Sequence, residues 1–241
     1  MSYRPREFWD RRLSEQFDLR GTGESGLSIA YNQACYALRA ATLDRCLRDH
    51  GVDPRGRTVL DVGCGTGFFT AFYLARGAKV TGIDIAPTSI ERLRARHPEA
   101  TFVLADVSET PAPGRYDLVN AFDVLYHVVD EGRWEAALAH LADAVVPGGL
   151  LLVTDTFMAP RAEAAHNRMR PLERYRAVLE PRGYRLSAPR PTHVLLNRHL
   201  GPLRFLNRAP QLLLLADHAL LAAGLGRGDP AVSKLLVARR S

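Results

Sequence analysis

Lysine is nearly missing: Lys79 and Lys234 stand beside 30 arginines in a chain of 241 residues. Cysteine is scarce too. Cys35, Cys46 and Cys64 form no C-x-x-C pair, which excludes a disulfide framework or cysteine-based zinc site. A reducing, cytoplasmic setting is the expectation. Long apolar runs are absent; the nearest candidate, Leu212 to Leu225, is short and carries Asp217 and His218. That excludes a spanning helix, and with it stable membrane insertion. No apolar stretch follows the arginines of the first ten residues, so they do not read as a secretory signal. His, Cys and acidic residues show no metal-ligand spacing, and no metal is expected. The 19 Gly and 15 Pro follow no period, which excludes collagen-like chains. What is present is 46% hydrophobic residues, enough for one sizeable core.

The net charge of +6 is unevenly placed. Residues 1–57 sum to +2, residues 58–156 to −6, and residues 157–241 to +10. A basic C-terminal third is either a set of solvated helical faces or a surface for an anionic partner such as a phosphate, a carboxylate or a membrane. Basic runs interleaved with aromatics are missing, and no nucleic-acid module signature is found, so nucleic acid is not an expected partner.

Apolar periodicity predicts a helix over residues 8–20, a loop at Gly21–Gly26 and a second helix from about Ser28 to Asp49. From Thr58 the texture changes. Short, near-continuous apolar runs at Thr58–Val62, Lys79–Asp84, Thr101–Ala105, Tyr116–Ala121 and Leu150–Asp155 read as strands. Helical stretches at Phe68–Arg76, Pro87–Arg96 and Glu131–Ala144 separate them. Later come a helix within Pro171–Gly183, a strand at Tyr184–Leu186, a Pro- and Leu-rich insertion and a last strand at Ser233–Ala238. This alternation implies an α/β fold with a mostly parallel sheet covered on both faces, and a ligand at the carboxyl ends of its central strands. The expected division is a helical lid segment over 1–57, a ligand-binding core over 58–156, and a C-terminal part of the same domain over 157–241.

Chemistry concentrates in three strand ends. Val59-Leu-Asp-Val-Gly-Cys-Gly-Thr-Gly67 runs a strand into Gly-x-Gly-x-Gly, whose bare backbone lets a ligand approach closely. Its spacing is not the G-x-G-x-x-G of dinucleotide sites, which disfavours a nicotinamide oxidoreductase, and no Walker lysine follows. Asp84, closing the second strand, is placed to accept hydrogen bonds from ribose hydroxyls. Asp106, just past the third, could accept from the exocyclic amine of a base. Either acid alone is an ordinary cap residue; three such signals in order are not coincidence.

Residues 58–156 resemble the core of class I S-adenosylmethionine-dependent methyltransferases. LDVGCGTG, GIDIA and ADVSE are similar to its first three motifs, and YDLVNAFDVLYHV and LADAVVPGGLLLVTDTF to its strand-four and strand-five motifs. The resemblance implies a Rossmann-like, seven-stranded sheet whose last strand pairs antiparallel. S-adenosylmethionine is then the cofactor. Gly63, Cys64 and Gly65 would lie against its methionine part, Asp84 and Ile85 by the ribose, Asp106 and Val107 by the adenine, and Ala121 and Phe122 on its flank. The N-terminal segment would be a lid hinged at Gly21–Gly26, contributing Tyr31, with Arg39 pairing the cofactor carboxylate.

Methylation of an oxygen calls for a base, and His127 after strand four is the candidate. His166, His193, His199 and His218 read as structural. The expected function is methylation of a small-molecule acceptor, anionic or apolar, on oxygen. Nitrogen or carbon methylation by positioning alone, or a non-catalytic cofactor-binding paralogue, stays open. So does a homodimer through the apolar segment 209–226.

Overall fold

The computed structural model describes residues 3–158, 164–196 and 200–241; His199 lies outside them. The chain opens with α1 (Pro5–Glu15), which starts on a proline and buries Leu13. A separate turn, α2 (Leu19–Thr22), follows. One continuous helix over 8–20 was expected. Asp18 divides it, because its carboxylate accepts from the Arg20 amide (2.8 Å) and begins a new helix there. The long α3 (Ile29–Asp49) is capped by the Ser28 hydroxyl, which accepts from the Tyr31 amide.

The expected alternation then appears: β1 (Thr58–Val62), α4 (Phe68–Leu74), β2 (Lys79–Asp84), α5 (Pro87–Arg96), β3 (Thr101–Leu104) and β4 (Tyr116–Ala121). After β4 come α6 (Glu131–Asp143), β5 (Val145–Asp155), α7 (Leu172–Leu179), β6 (Tyr184–Leu186), the two-residue β7 (Arg190–Pro191), α8 (Pro210–Ala222) and β8 (Lys234–Arg240). A tight 3-10 turn spans Gly201–Arg208 ahead of α8.

The sheet runs β3-β2-β1-β4-β5-β8-β6, with β7 also on β8. Pairs from β3 through β5 are parallel, and β8 runs antiparallel to its neighbours. The seven-strand expectation holds along this path, and the short β7 is an addition. Strand polarity explains the core. Leu60, Val119, Leu151 and Val153 point to the side covered by Trp134 and Leu138 of α6 and Tyr175 of α7. Val59, Leu118, Leu150 and Leu152 point to the side of Leu43 and Leu47 of α3 and Phe69 and Tyr73 of α4. The chain order reverses between β1 and β4, opening a crevice at their carboxyl ends.

The C-terminal insertion docks on α3. Tyr31, Ala34, Cys35 and Leu38 pack with Leu196 and Leu213 in a cluster of their own. Asp217, the sole charge in α8, is fully buried. Its carboxylate accepts from the amides of Val194, Leu195 and Leu196 at 2.7–2.8 Å, clipping the preceding loop to the helix. Among the described residues, no helix is long and apolar enough to cross a membrane.

The Asp217 clip predicts that Asp217→Ala destabilises the protein by roughly 3 kcal/mol, since one buried and two part-buried amides lose their acceptor. Urea unfolding measures this; a loss under about 0.5 kcal/mol, the range of ordinary surface changes, would contradict it.

Candidate active site

At the crevice, β1 ends and the chain turns through Gly63, Cys64 and Gly65 into α4. Gly63 and Gly65 hold positive φ (62° and 52°). A Cβ on Gly63 would collide with Val124, and one on Gly65 would come within 2.6 Å of Thr22. The turn is tied to the tip of β2: Asp84 accepts from the Gly65 amide (2.8 Å) and from the Ala86 amide (2.8 Å). Burial pushes the Asp84 carboxyl up, while these backbone donors pull it back. Beneath the turn, Asp61 accepts from the Thr70 hydroxyl (2.7 Å) and the Asn120 amide (2.9 Å). Burial raises its pKa to about 6 against those two hydrogen bonds.

Above these residues lies a cavity of about 280 Å³. Its floor is Val62 to Thr66 and Ile83 to Ile85; one wall is Ala105 to Ser108, another Phe122 to Val124, His127 and Val128. The N-terminal segment closes it: Tyr3, Pro5, Trp9 and Leu13 line the side away from the sheet. Asp10 of α1 accepts from the Thr88 amide (2.8 Å), fastening this cover to α5.

Asp106 is already engaged. One oxygen accepts from the amide and hydroxyl of Ser108, and the other pairs with Arg133 (2.7 Å). Asp123 sits at φ 58°, a left-handed conformation costly for a non-glycine residue. Its amide donates to the Thr154 hydroxyl (2.7 Å), and its carboxylate pairs with the buried Arg39 (3.1 Å).

His127 stands in a stack of rings. Its Nδ1 lies 2.8 Å from the carbonyl oxygen of His166, which can only accept, so Nδ1 carries the proton and Nε2 is the basic atom. Trp9 meets the ring edge-on (4.8 Å) and the His166 ring stacks on it (5.5 Å). Burial lowers the pKa of His127 to about 4, opposed by the His166 carbonyl, so the ring is neutral at physiological pH.

Of the residues singled out from the sequence, Gly63, Cys64, Gly65, Asp84, Ile85, Asp106, Val107, Phe122 and His127 line this one cavity. Three others are placed differently. Tyr31 is wholly buried against the insertion, because its face of α3 turns toward α8. Arg39 is paired with Asp123 and stacked over Tyr36, and it is not among the residues that line the cavity. Ala121, the last residue of β4, packs into the core and does not reach the cavity lining. The loop expected over Gly21–Gly26 is corrected as well: Gly21 and Thr22 belong to α2, and the Asn32 side chain pins Glu24 through both its amide and its carbonyl. Sequence reasoning missed Trp9, Tyr36, Asp123 and the His166 carbonyl. Trp9 had a signal, an aromatic on the apolar stripe of a charged helix; the His166 contact spans 39 residues and had none. Among the described residues, no group of three His, Cys, Asp or Glu side chains is placed to hold a metal ion.

Residues 59–149 match a family model described as "Methyltransferase domain". The chain is 39% identical over 119 residues to a ubiquinone biosynthesis O-methyltransferase of Methylobacterium sp. (strain 4-46), covering 44% of this chain and 46% of that one. It is 34% identical over 101 residues to a malonyl-[acyl-carrier protein] O-methyltransferase of Serratia marcescens, covering 40% of this chain and 37% of the other. The chain thus spans about half the length or less of the curated relatives it matches. Its fold is that of magnesium protoporphyrin IX methyltransferase from Synechocystis PCC 6803 with bound S-adenosylmethionine: TM-score 0.63 and 18% identity, over 98% of this chain and 95% of that one. The 1,6-didemethyltoxoflavin-N1-methyltransferase of Burkholderia thailandensis is also similar (TM-score 0.58, 18% identity, 100% of this chain and 92% of that one). Residues 59–149 are therefore similar to a methyltransferase domain, set in the fold that these two solved methyltransferases share.

The lowered pKa of His127 has a sign. Its folded value lies below the ordinary 6.5, so the unfolded chain binds the proton more readily. The stabilisation is full above pH 6.5 and is lost as pH falls toward 4. Between pH 7.5 and pH 5 this group costs about 2 kcal/mol. Urea unfolding at the two pH values should show that His127→Gln is less acid-sensitive than the wild type by this amount; equal sensitivity would contradict the desolvated, neutral ring.

Proposed function

We propose that the chain transfers a methyl group from S-adenosylmethionine to an oxygen of a small-molecule acceptor, with the cavity beneath α1 as its active site. The observation that carries this reading is one cavity lined by two bare glycine backbones, the Asp84 carboxylate and the neutral ring of His127.

The residues fit the cofactor. Gly63 and Gly65 leave a cradle that a Cβ would fill. The Asp84 carboxylate, with Gly65 and Ala86 on part of its rim, keeps lone pairs for ribose hydroxyls. Ile85 and Val107 supply apolar walls for a base, and Asp106 shares its carboxylate between Ser108, Arg133 and an exocyclic amine. When bound, the cofactor supplies an electrophilic methyl group on a positively charged sulfur. The protein's part is orientation, which can be worth ~7–11 kcal/mol in such a displacement. Val62, Phe69, Phe122 and Trp9 exclude water from the acceptor's oxygen. His127 takes the hydroxyl proton at Nε2 while Nδ1 stays on the His166 carbonyl. A base this weak suits an acidic hydroxyl, such as a phenol or enol, whose developing negative charge strengthens it.

Residues 1–57 act as the lid, 58–156 as the cofactor-binding core and 157–241 as the acceptor-side part of the same domain; Trp9 on the His127 ring supports the first of these. Three free, buried cysteines suit the reducing cytoplasm. The relatives' names support transfer to oxygen.

Calorimetric titration with S-adenosylmethionine and S-adenosylhomocysteine should show micromolar binding, weakened at least tenfold by Asp84→Ala. With an oxygen acceptor, His127→Gln should lower kcat ~10²–10⁴-fold and leave S-adenosylhomocysteine affinity unchanged. Full rate in that variant would leave methylation by positioning alone; no wild-type binding, even with acceptors present, would overturn the reading.

A further inference from the structure

The 13-residue α8 carries one charged side chain, Asp217, and that carboxylate is buried on the loop amides. Its outward face therefore carries no carboxylate, lysine or arginine, and its one titratable group is the exposed His218 beside the stripe. That face shows Leu212 and Leu215 at 67% and 69% exposure, with Ala219 and Ala222 continuing the stripe at helical spacing. The 3-10 turn leading into it exposes Leu203 and Phe205, the latter at 59%. The turn after it exposes Leu225. Five of the eight large hydrophobic side chains recorded as exposed among the described residues thus fall between 203 and 225. A soluble surface seldom collects so many in one segment.

Cations frame this patch. Arg204 and Arg208 stand on the turn before α8 and Arg227 beyond it, all exposed. Asp217 is the sole acidic residue between 200 and 228, so no carboxylate of the segment neutralises them. An apolar stripe framed by unneutralised arginines complements one kind of surface, apolar just beneath and negative at its rim: a bilayer containing anionic lipids. A second copy of this patch fits less well. It would bring more arginines and no acid.

We infer that the segment 201–227 is a membrane-docking surface, on which Leu212, Leu215 and Phe205 enter the interfacial layer of a bilayer while Arg204, Arg208 and Arg227 lie among anionic headgroups. The helix does not cross the membrane. Thirteen residues rise about 20 Å, short of the hydrocarbon core, and the Asp217 clip holds α8 against α3. The contact is peripheral, reversible and independent of methyl transfer.

The test is flotation of the full chain with vesicles of phosphatidylcholine alone, and of phosphatidylcholine with about a third phosphatidylglycerol, whose negative surface attracts basic segments. The expected result is binding to the anionic vesicles, at least tenfold weaker to the neutral ones and weakened by 0.5 M salt as headgroup attraction is screened. Leu212→Ser with Leu215→Ser, and separately Arg204→Gln with Arg208→Gln and Arg227→Gln, should each reduce binding at least tenfold. Both variants change only exposed side chains, so their thermal midpoints should match the wild type. Absence of binding to anionic vesicles, or binding untouched by either variant, would overturn the inference. A concentration-dependent dimer abolished by the leucine variant, without vesicle binding, would assign the face to a second copy instead.

Discussion

The site depends on one buried carboxylate. Asp84 lies at the end of β2, where the sheet leaves it little water, and its charge is tolerable because the amides of Gly65 and Ala86 point at it. That requirement joins the turn after β1 to the turn after β2. Gly65 must then present its amide sideways from a left-handed backbone, which a side chain would obstruct against Thr22. The cavity floor follows from satisfying one acid.

The same scarcity of water sets the electrostatics of the rest of the cavity. Asp61 is drawn upward to about 6 and is kept in place by a relay from Tyr73 through Asn120, with Thr70 on its other oxygen. Arg39 and Asp123 are buried as a pair, and neither is left uncompensated. His127 is held neutral by burial and fixed in one tautomer by a carbonyl from a distant loop. A wall of paired charges with one uncharged, oriented ring suits the proposed methyl transfer, in which positive charge on the donor disappears. The covering helix maintains the dryness, since Trp9 and Leu13 occupy the side that would otherwise open to solvent.

The C-terminal third has a different logic. Its excess of arginine is divided between ion pairs and open surface. Arg168, Arg170 and Arg174 converge on Glu131 of α6, so part of the +10 is consumed inside the fold. Arg190 is paired with Asp49 across the α3 end. The arginines around α8 have no acid in their own segment but the buried Asp217, and they border the stretch where most of the exposed large hydrophobic side chains among the described residues lie. Charge density in the sequence therefore marks two unlike things, a structural network and an outward patch.

What the sequence by itself determined was whatever rests on local patterning. The buried strands β1 to β5 show as apolar runs because both sides of a parallel sheet are covered. Gly63, Gly65, Asp84 and Asp106 show because a turn needing bare backbone, and acids at strand tips, have few chemical alternatives. His127 was legible by its position after β4, its tautomer and lowered basicity were not. Those depend on His166 and Trp9, which reach it across 39 and 118 residues of chain. The placing of α3 was likewise decided by tertiary packing. A helix with apolar residues on several sides can turn either side to the cavity, and the insertion claimed the face of Tyr31 while Tyr36 was left to the site. Arg39 followed the same rule: a buried guanidinium must find a carboxylate, and Asp123, brought beside it by folding, was the one within reach.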